Sequence, residues 1–365
     1  MSSGTQFYSL RVKDIRRETP ECVSISFDIP ESLTELFRYQ PGQYLTLRTH
    51  IDDMEVRRSY SICSAPSDRE LRVAIKQMDK GKFSNFANND LQQDAAIEVM
   101  PPMGKFIPNE LQTKGRQYLA IAAGSGITPV MSIMKTILEQ DDTARFTLIF
   151  GNRNRGSIIF KESIEALKNK YLQRLSVYHV FTRETLDAPL FNGRLDADKI
   201  AGFCDKLINP DLMDEVFICG PEEMILNLRE YFLHTQNMDQ HKIHIELFSS
   251  PDQPRHINEA WKEKQQAIDP SKTSRVTVKL DGRAFDMNLA YVGESILDAA
   301  LQQGADLPYA CKGGVCCTCR AKLVEGEVDM EVNYALEPDE IASKFILTCQ
   351  SHPRTERVVV DFDIK

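Results

Sequence analysis

The chain has 365 residues, 42% of them hydrophobic, with 44 Lys+Arg against 53 Asp+Glu for a formal net charge of -9. That length holds about two to three domains with their own cores, and the acidic balance argues against nucleic acid as the main partner. The nine cysteines do not read as a secreted disulfide framework, MSSGTQFYSLRVKD lacks an apolar signal core, and no apolar run approaches the about 18 residues of a membrane span, so the sequence predicts a soluble, cytoplasmic protein without membrane contact.

In chain order, Val23–Pro30, Tyr44–Thr49, Arg57–Cys63 and Leu71–Lys76 are short alternating segments separated by turn residues, which predicts an antiparallel barrel over 1–110. From Tyr118 the pattern changes to an apolar strand YLAIAA, a glycine turn and a helical PVMSIMKTIL. Strands at Phe146–Phe150, Leu175–Phe181 and Glu215–Cys219 follow, with helical stretches between them, so 111–250 reads as an α/β domain with a parallel sheet. Residues 251–272 are polar, proline-bearing and without a sustained apolar period, and they read as a linker despite holding the single tryptophan. Over 273–365, VTVKL and RAFDMNL flank Asp281-Gly282 as a hairpin, and Ser295–Gln303 is a short helix before a cysteine-rich loop.

Three groups of residues carry chemistry. Arg58-Ser59-Tyr60-Ser61 in the barrel offers a guanidinium for a pyrophosphate, a ring face for an isoalloxazine and hydroxyls for its nitrogens, and Gly81 with Ser84 opens a helix downstream. Tyr60 and Ser61 would point to opposite faces of a regular strand, so the strand must bend or end there. Gly124-Ser125-Gly126-Ile127-Thr128-Pro129 joins a buried strand to a helix, where glycines admit a pyrophosphate to the helix N-terminus; Cys219-Gly220-Pro221 ends another strand at the same edge of the sheet. Cys311, Cys316, Cys319 and Cys349 have the C-x4-C-x2-C spacing and distant fourth cysteine of a plant-type [2Fe–2S] site. Structural zinc would normally show two paired C-x2-C knuckles, and only one pair exists. Gly313 and Gly314 permit a backbone that turns amides toward sulfur, and Cys317 reads as a non-ligand.

These motifs resemble the ferredoxin-NADP reductase superfamily fused to a plant-type ferredoxin, and the resemblance covers nearly the whole chain. RRSYSIC, AIAAGSGITP, DAALQQGADLPYACKGGVCCTC, NYALEPDE and VVVDFD resemble, within it, the reductase components of phenylacetyl-CoA epoxidases. The resemblance implies an antiparallel β-barrel flavin domain, an α/β nucleotide domain and a β-grasp-like α+β [2Fe–2S] domain. It also implies a relay from NAD(P)H through flavin and cluster to a separate oxygenase, with no conventional acid–base catalyst. Arg58, Ser59, Tyr60 and Ser61 would hold the flavin, Gly81 and Ser84 would contact its phosphates, and Thr128 and Cys219 would lie near the nicotinamide with Ser61. Glu246 and Phe248 resemble a segment that closes over the flavin, although they also fit a plain final strand.

Further expectations concern cofactors and partners. Two anion sites, at Arg58 and at Gly81–Ser84, favour FAD over FMN. Gly151-Asn152-Arg153-Asn154-Arg155 after the second strand favours NADPH over NADH, with Arg153 the first candidate for a 2′-phosphate and Arg155 the second. Thr273–Lys365 carries 15 acidic against 10 basic residues, and its stretch Glu325, Glu327, Asp329, Glu331, Glu337, Asp339 and Glu340 would face the oxygenase. A reductase for a different oxygenase, such as a ring-hydroxylating dioxygenase or a desaturase, and a non-catalytic redox-sensing subunit are the alternative readings.

Overall fold

The computed structural model describes residues 6–109, 111, 113–248 and 259–364. The chain folds as two compact units, one of Phe7–Phe248 and one in the C-terminal third.

The first unit begins with six antiparallel strands: β1 (Tyr8–Thr19), β2 (Cys22–Asp28), β3 (Tyr44–Ile51), β4 (Met54–Ser61), β5 (Leu71–Lys76) and β6 (Ala96–Val99), in the order β4-β3-β6-β1-β2-β5. The ends of this sheet meet. Ile62 bridges Val73, and Cys63 N donates to Arg72 O at 2.9 Å, so the strand after β4 closes onto β5 and the sheet becomes a barrel without open edges. Leu10, Ile25, Leu45, Leu47 and Ile75 fill it, and Phe83 from helix α1 (Lys82–Asn89) joins the same core. β4 ends at Ser61, as the opposed Tyr60 and Ser61 required. Strand β1 was not expected, because register shifts at Val12/Asp14 and Arg17/Thr19 break its alternation.

A parallel sheet follows, built from β7 (Gln117–Ala123), β8 (Arg145–Asn152), β9 (Leu175–Phe181), β10 (Glu215–Gly220) and β11 (Ile243–Leu247), in the order β11-β10-β7-β8-β9. Helices α2 (Ile127–Gln140), α3 (Lys161–Lys170), α4 (Ala197–Lys206) and α5 (Glu222–Glu230) lie between the strands. The chain moves outward from β7 through β8 to β9 and then crosses to β10 on the other side. The crevice at this reversal, outside the carboxyl ends of β7 and β10, is where such sheets bind ligands. Phe106 packs edge-on against Phe217 at 5.4 Å, and Ser132 Oγ donates to Ser64 O at 2.6 Å, so barrel and sheet share contacts.

The C-terminal unit contains α6 (Glu259–Gln266), β12 (Thr273–Leu280), β13 (Arg283–Ala290), α7 (Ile296–Gln302), β14 (Arg320–Glu325), β15 (Val328–Met330), α8 (Pro338–Ala342), β16 (Phe345–Leu347), β17 (Ser351–Pro353) and β18 (Arg357–Asp361). A mixed sheet in the order β13-β12-β18-β14-β16 packs against α7, with β12 and β18 parallel, and β15 pairs with β17 separately. The β12–β13 hairpin turns on Asp281 and Gly282, both at positive φ (52° and 71°). Ser295 Oγ caps α7 by accepting from Asp298 N at 3.1 Å.

The segment 251–272 departs from the linker reading. Residues 251–258 lie outside the described residues, but Glu259–Gln266 is helical and bound to this unit. The Trp261 ring lies 5.2 Å from that of His352 at a tilt of 50°, Arg354 lies 5.7 Å over the Trp261 ring, and Lys264 Nζ donates to Asp329 Oδ1 at 2.8 Å. One aromatic anchor and one ion pair hold a helix whose remaining residues are too polar to announce an apolar face.

Candidate functional site

At the end of β4, Ser61 is buried and its Oγ donates to Glu246 Oε2 at 2.8 Å, joining the barrel to β11. Glu246 pairs in register with Cys219, the penultimate residue of β10. Glu246 is half-buried. Burial pushes its pKa up from 4.5 to about 8, against the opposing pull of the Ser61 hydrogen bond. Cys219 is fully buried, and burial first and the Glu246 charge second hold its thiol well above the usual range.

The glycine turn packs directly on these groups. A Cβ on Gly126 would lie 2.0 Å from the Cys219 carbonyl oxygen, so only glycine lets α2 begin this close to the end of β10. Gly124 has φ +54°, and a Cβ on it would lie 3.6 Å from Lys76 Nζ. On Gly220 a Cβ would meet Met224 Cε at 2.6 Å. Pro129 sits buried in the first turn of α2, and the buried Thr128 donates its Oγ1 to Ser125 O at 3.0 Å, which closes the turn. Ser61, Gly124, Gly126, Cys219, Gly220 and Glu246 therefore belong to one locality, with Pro221 capping α5 beside it.

Lys76 escaped the sequence reading. It is a single cation at the end of a barrel strand with no motif around it, and only the fold brings its ammonium beside Gly124. Burial lowers its pKa, and Arg153 nearby lowers it further while Glu21 opposes.

A second locality lies on the barrel. Arg58, Ser59 and Tyr60 are half-buried on β4; Arg58 Nη1 donates to Arg57 O at 2.6 Å, and Ser59 Oγ lies 3.2 Å from Thr46 Oγ1. The Tyr60 ring is 5.5 Å from Phe83 in the first turn of α1, which Gly81 caps. Ser84 Oγ accepts from Met78 N at 3.1 Å and donates to Gly81 O at 3.2 Å, so that hydroxyl is committed within its own turn. Phe248 follows β11 and is exposed.

Arg153 and Arg155 stand apart from each other. Arg153 Nη1 is 3.4 Å from Glu21 Oε2 in the barrel, whereas Arg155 Nε is 3.1 Å from Glu184 Oε1. Both pairs are exposed at the carboxyl ends of the sheet, and Arg183 N donates to Arg153 O at 2.8 Å, which brings a third arginine to the same edge.

In the C-terminal unit the four predicted thiols come together, all buried, in two pairs. Cys311 and Cys316 Sγ are 3.1 Å apart, and Cys319 is hydrogen-bonded to Cys349. Two thiolates for each of two irons suit a [2Fe–2S] cluster. Backbone amides turn toward the sulfurs, as with Gly313 N to Cys311 Sγ at 3.3 Å, and Gly314 sits at φ +72° with no room for a Cβ beside Val332. Cys317 Sγ donates to Ala335 O at 3.3 Å, away from the paired thiols.

Three family models match: the oxidoreductase FAD-binding domain over 9–107, the oxidoreductase NAD-binding domain over 120–230 and the 2Fe-2S iron-sulfur cluster binding domain over 279–354. The chain is 45% identical over 361 residues to a component of the 1,2-phenylacetyl-CoA epoxidase of Escherichia coli (strain K12), covering 99% of each chain. It is 33% identical to the ferredoxin reductase component of 3-ketosteroid-9-alpha-monooxygenase from Rhodococcus rhodochrous, covering 98% of each. Phthalate dioxygenase reductase shares the fold, with a TM-score of 0.59 at 19% identity over 98% of each chain.

Proposed function

The chain belongs to the family of reductase components that carry electrons from a pyridine nucleotide through FAD and a [2Fe–2S] cluster to an oxygenase, and from that premise we propose that its oxygenase epoxidises an aryl-CoA thioester and its preferred donor is NADPH. The 45% identity to the Escherichia coli epoxidase component over essentially the full length of both chains carries the choice of oxygenase. No helix among the described residues is long and apolar enough to cross a membrane, and nine free cysteines agree with a reducing, cytoplasmic setting.

When bound, FAD accepts a hydride and gives up electrons singly, and the cluster takes them one at a time. The chain's own residues supply position. Arg58 offers charge to the flavin pyrophosphate, Tyr60 a ring face, and Ser59 and Ser61 hydroxyls. At α1 the phosphate contact falls to the helix-start backbone N–H groups and Gly81, because the Ser84 hydroxyl is already engaged.

Gly126 and Gly220 let α2 and the end of β10 pack closely together, Gly124 leaves the backbone of that turn open to the nucleotide, and Lys76 adds a cation beside it. Thr128 and Pro129 fix that turn. Glu246, its pKa raised to about 8 by burial, accepts a hydrogen bond from Ser61 Oγ and so ties the end of β4 to β11 beside the flavin hydroxyl contacts. Cys219 stays a neutral thiol there, and Phe248 extends from the same strand toward solvent.

Anaerobic mixing of the oxidised protein with NADPH should bleach the flavin and cluster absorbance on a catalytic timescale, and adding the oxygenase with phenylacetyl-CoA should yield epoxide. Failure to bleach sinks the reductase reading in favour of a redox-sensing role. Bleaching without epoxide, but with turnover by another oxygenase, moves only the partner.

The NADPH preference rests on Arg153 and Arg155 at the carboxyl ends of the sheet, where a 2′-phosphate can compete with Glu21 or Glu184 for one of the two guanidinium groups. Arg153→Ala should lower kcat/KM for NADPH by about tenfold and leave NADH nearly unchanged, consistent with loss of one charge-assisted contact. Equal efficiencies in the wild type would remove the idea.

A further inference from the structure

Gln350 follows the last of the four thiols and is fully buried at 0% exposure. Its two Nε2 protons face three acceptors, the Lys312 carbonyl at 3.0 Å and, sharing one proton, the Cys349 carbonyl at 2.9 Å and Cys349 Sγ at 3.3 Å. Two of these are carbonyls and the third is a thiolate when it ligates iron, which fixes which end of the amide faces them; turned over, Oε1 would meet three acceptors without a proton between. The other end has nothing: Oε1 is buried with no hydrogen-bond partner among the described residues.

A buried amide oxygen without a partner is destabilising, and a methionine of similar volume would avoid it. The gain lies with the donor. Lys312 belongs to the loop that carries Cys311, Cys316 and Cys319, so the amide ties the distant ligand Cys349 to that loop. Its backbone is held at both ends, with Gln350 N donating to Leu347 O at 2.9 Å and Glu331 N donating to Gln350 O at 2.8 Å. Its Cγ would lie 3.3 Å from a Cβ on Gly314, so the side chain fills the space directly beneath the loop. Freedom to swing away from the sulfur is small.

An N–H aimed at a ligand sulfur draws negative charge off it. Reduction adds an electron to the cluster and raises that charge, so the donor favours the reduced form and the potential rises. Given the cluster reading above, on which this rests, we propose that Gln350 is a positioning residue that raises the reduction potential of the [2Fe–2S] cluster by donating a side-chain hydrogen bond to Cys349 Sγ. It acts on one side of the cluster, through the Cys319/Cys349 pair, because Cys349 is the thiol its amide reaches.

The experiment uses the full-length holoprotein and two variants, Gln350→Met, which keeps the volume and loses the donor, and Gln350→Glu, which keeps the shape and reverses the polarity. Iron and sulfide content comes first, and wild-type protein without them defeats the cluster reading itself. In loaded protein, redox titration followed by the EPR signal of the reduced cluster should show both midpoints more negative than wild type. The reduction equilibrium should move by about tenfold, or about 59 mV for one electron. Flavin reduction by NADPH should be unchanged. A wild-type midpoint in loaded Gln350→Met overturns the proposal.

Should neither variant load its cluster, the wild type decides. Protein carrying 15N in its glutamine side chains should show, in pulsed EPR of the reduced state, a hyperfine coupling to one side-chain nitrogen, and its absence overturns the proposal equally.

Discussion

The two units of the molecule build their sites in opposite ways. Between Phe7 and Phe248 the functional groups sit on strands far apart in sequence, and Ser61 meets Glu246 only because a closed barrel and a parallel sheet share contacts. In the C-terminal unit, three of the four thiols lie within Cys311–Cys319, and only Cys349 must be delivered by the fold. The first site is a product of tertiary packing and should degrade gradually. The second is local and should fail at single positions.

The harshest way to break that comparison is at the thiols. Replacing Cys311, Cys316, Cys319 or Cys349 by serine should abolish the visible and EPR signals of the cluster and stop electron delivery to the oxygenase, while flavin reduction by NADPH survives in the other unit. Cys317→Ser should keep full iron content, since its thiol is turned to the Ala335 carbonyl. Iron lost from Cys317→Ser but retained in Cys316→Ser would mean that the ligand frame is shifted.

The same contrast explains what could be read from the chain alone. The cysteine spacing and the Asp281-Gly282 turn are local signals, and both correspond to observed structure. Glu246 was ambiguous between a site residue and a plain strand residue, because its partner Ser61 lies 185 residues away. Lys76 carried no signal at all: its role near Gly124 arises from barrel closure and domain packing. β1 was hidden by its bulges, and α6 by a composition in which Trp261 alone provides apolar anchorage. Local chemistry shows in sequence, and contacts made across the fold do not.

Glu246 offers a gentler test of the packed site. Its carboxyl has a folded pKa of about 8 against an ordinary 4.5, so between those values the folded chain retains a proton that the unfolded chain releases. The stability associated with that proton is fully present below about pH 4.5 and is lost as pH rises through about 8. Glu246→Gln cannot ionise and should remove this slope. Thermal melts of the FAD-loaded proteins should show little difference near pH 5 and a variant more stable near pH 8, by on the order of a few degrees. Parallel curves for the two proteins would show that Glu246 ionises freely in the folded state.

The smallest effect concerns the acidic stretch of the cluster unit, where structure divides residues that sequence treated alike. Asp329 receives Lys264 Nζ at 2.8 Å and Arg354 Nε at 2.5 Å, Glu340 pairs with Arg320 at 2.5 Å, and Glu325 lies 3.4 Å from Arg357. Their charges are largely balanced on the spot, and Asp329 also anchors α6. Glu327, Glu337 and Asp339 are exposed and enter no ion pair among the described residues, which makes them charges a basic oxygenase surface would feel. Reversing Glu327 and Asp339 to lysine should therefore slow electron delivery to the oxygenase by about threefold to tenfold at low salt. The loss should shrink as added salt shortens the screening length to about 8 Å at physiological strength. NADPH-driven flavin reduction should not change. Asp329→Lys should instead lower the melting temperature of the C-terminal unit, because it places three cations together where a carboxylate joined two. If delivery ignores both ionic strength and the Glu327/Asp339 reversal, the oxygenase meets the cluster unit through some other face.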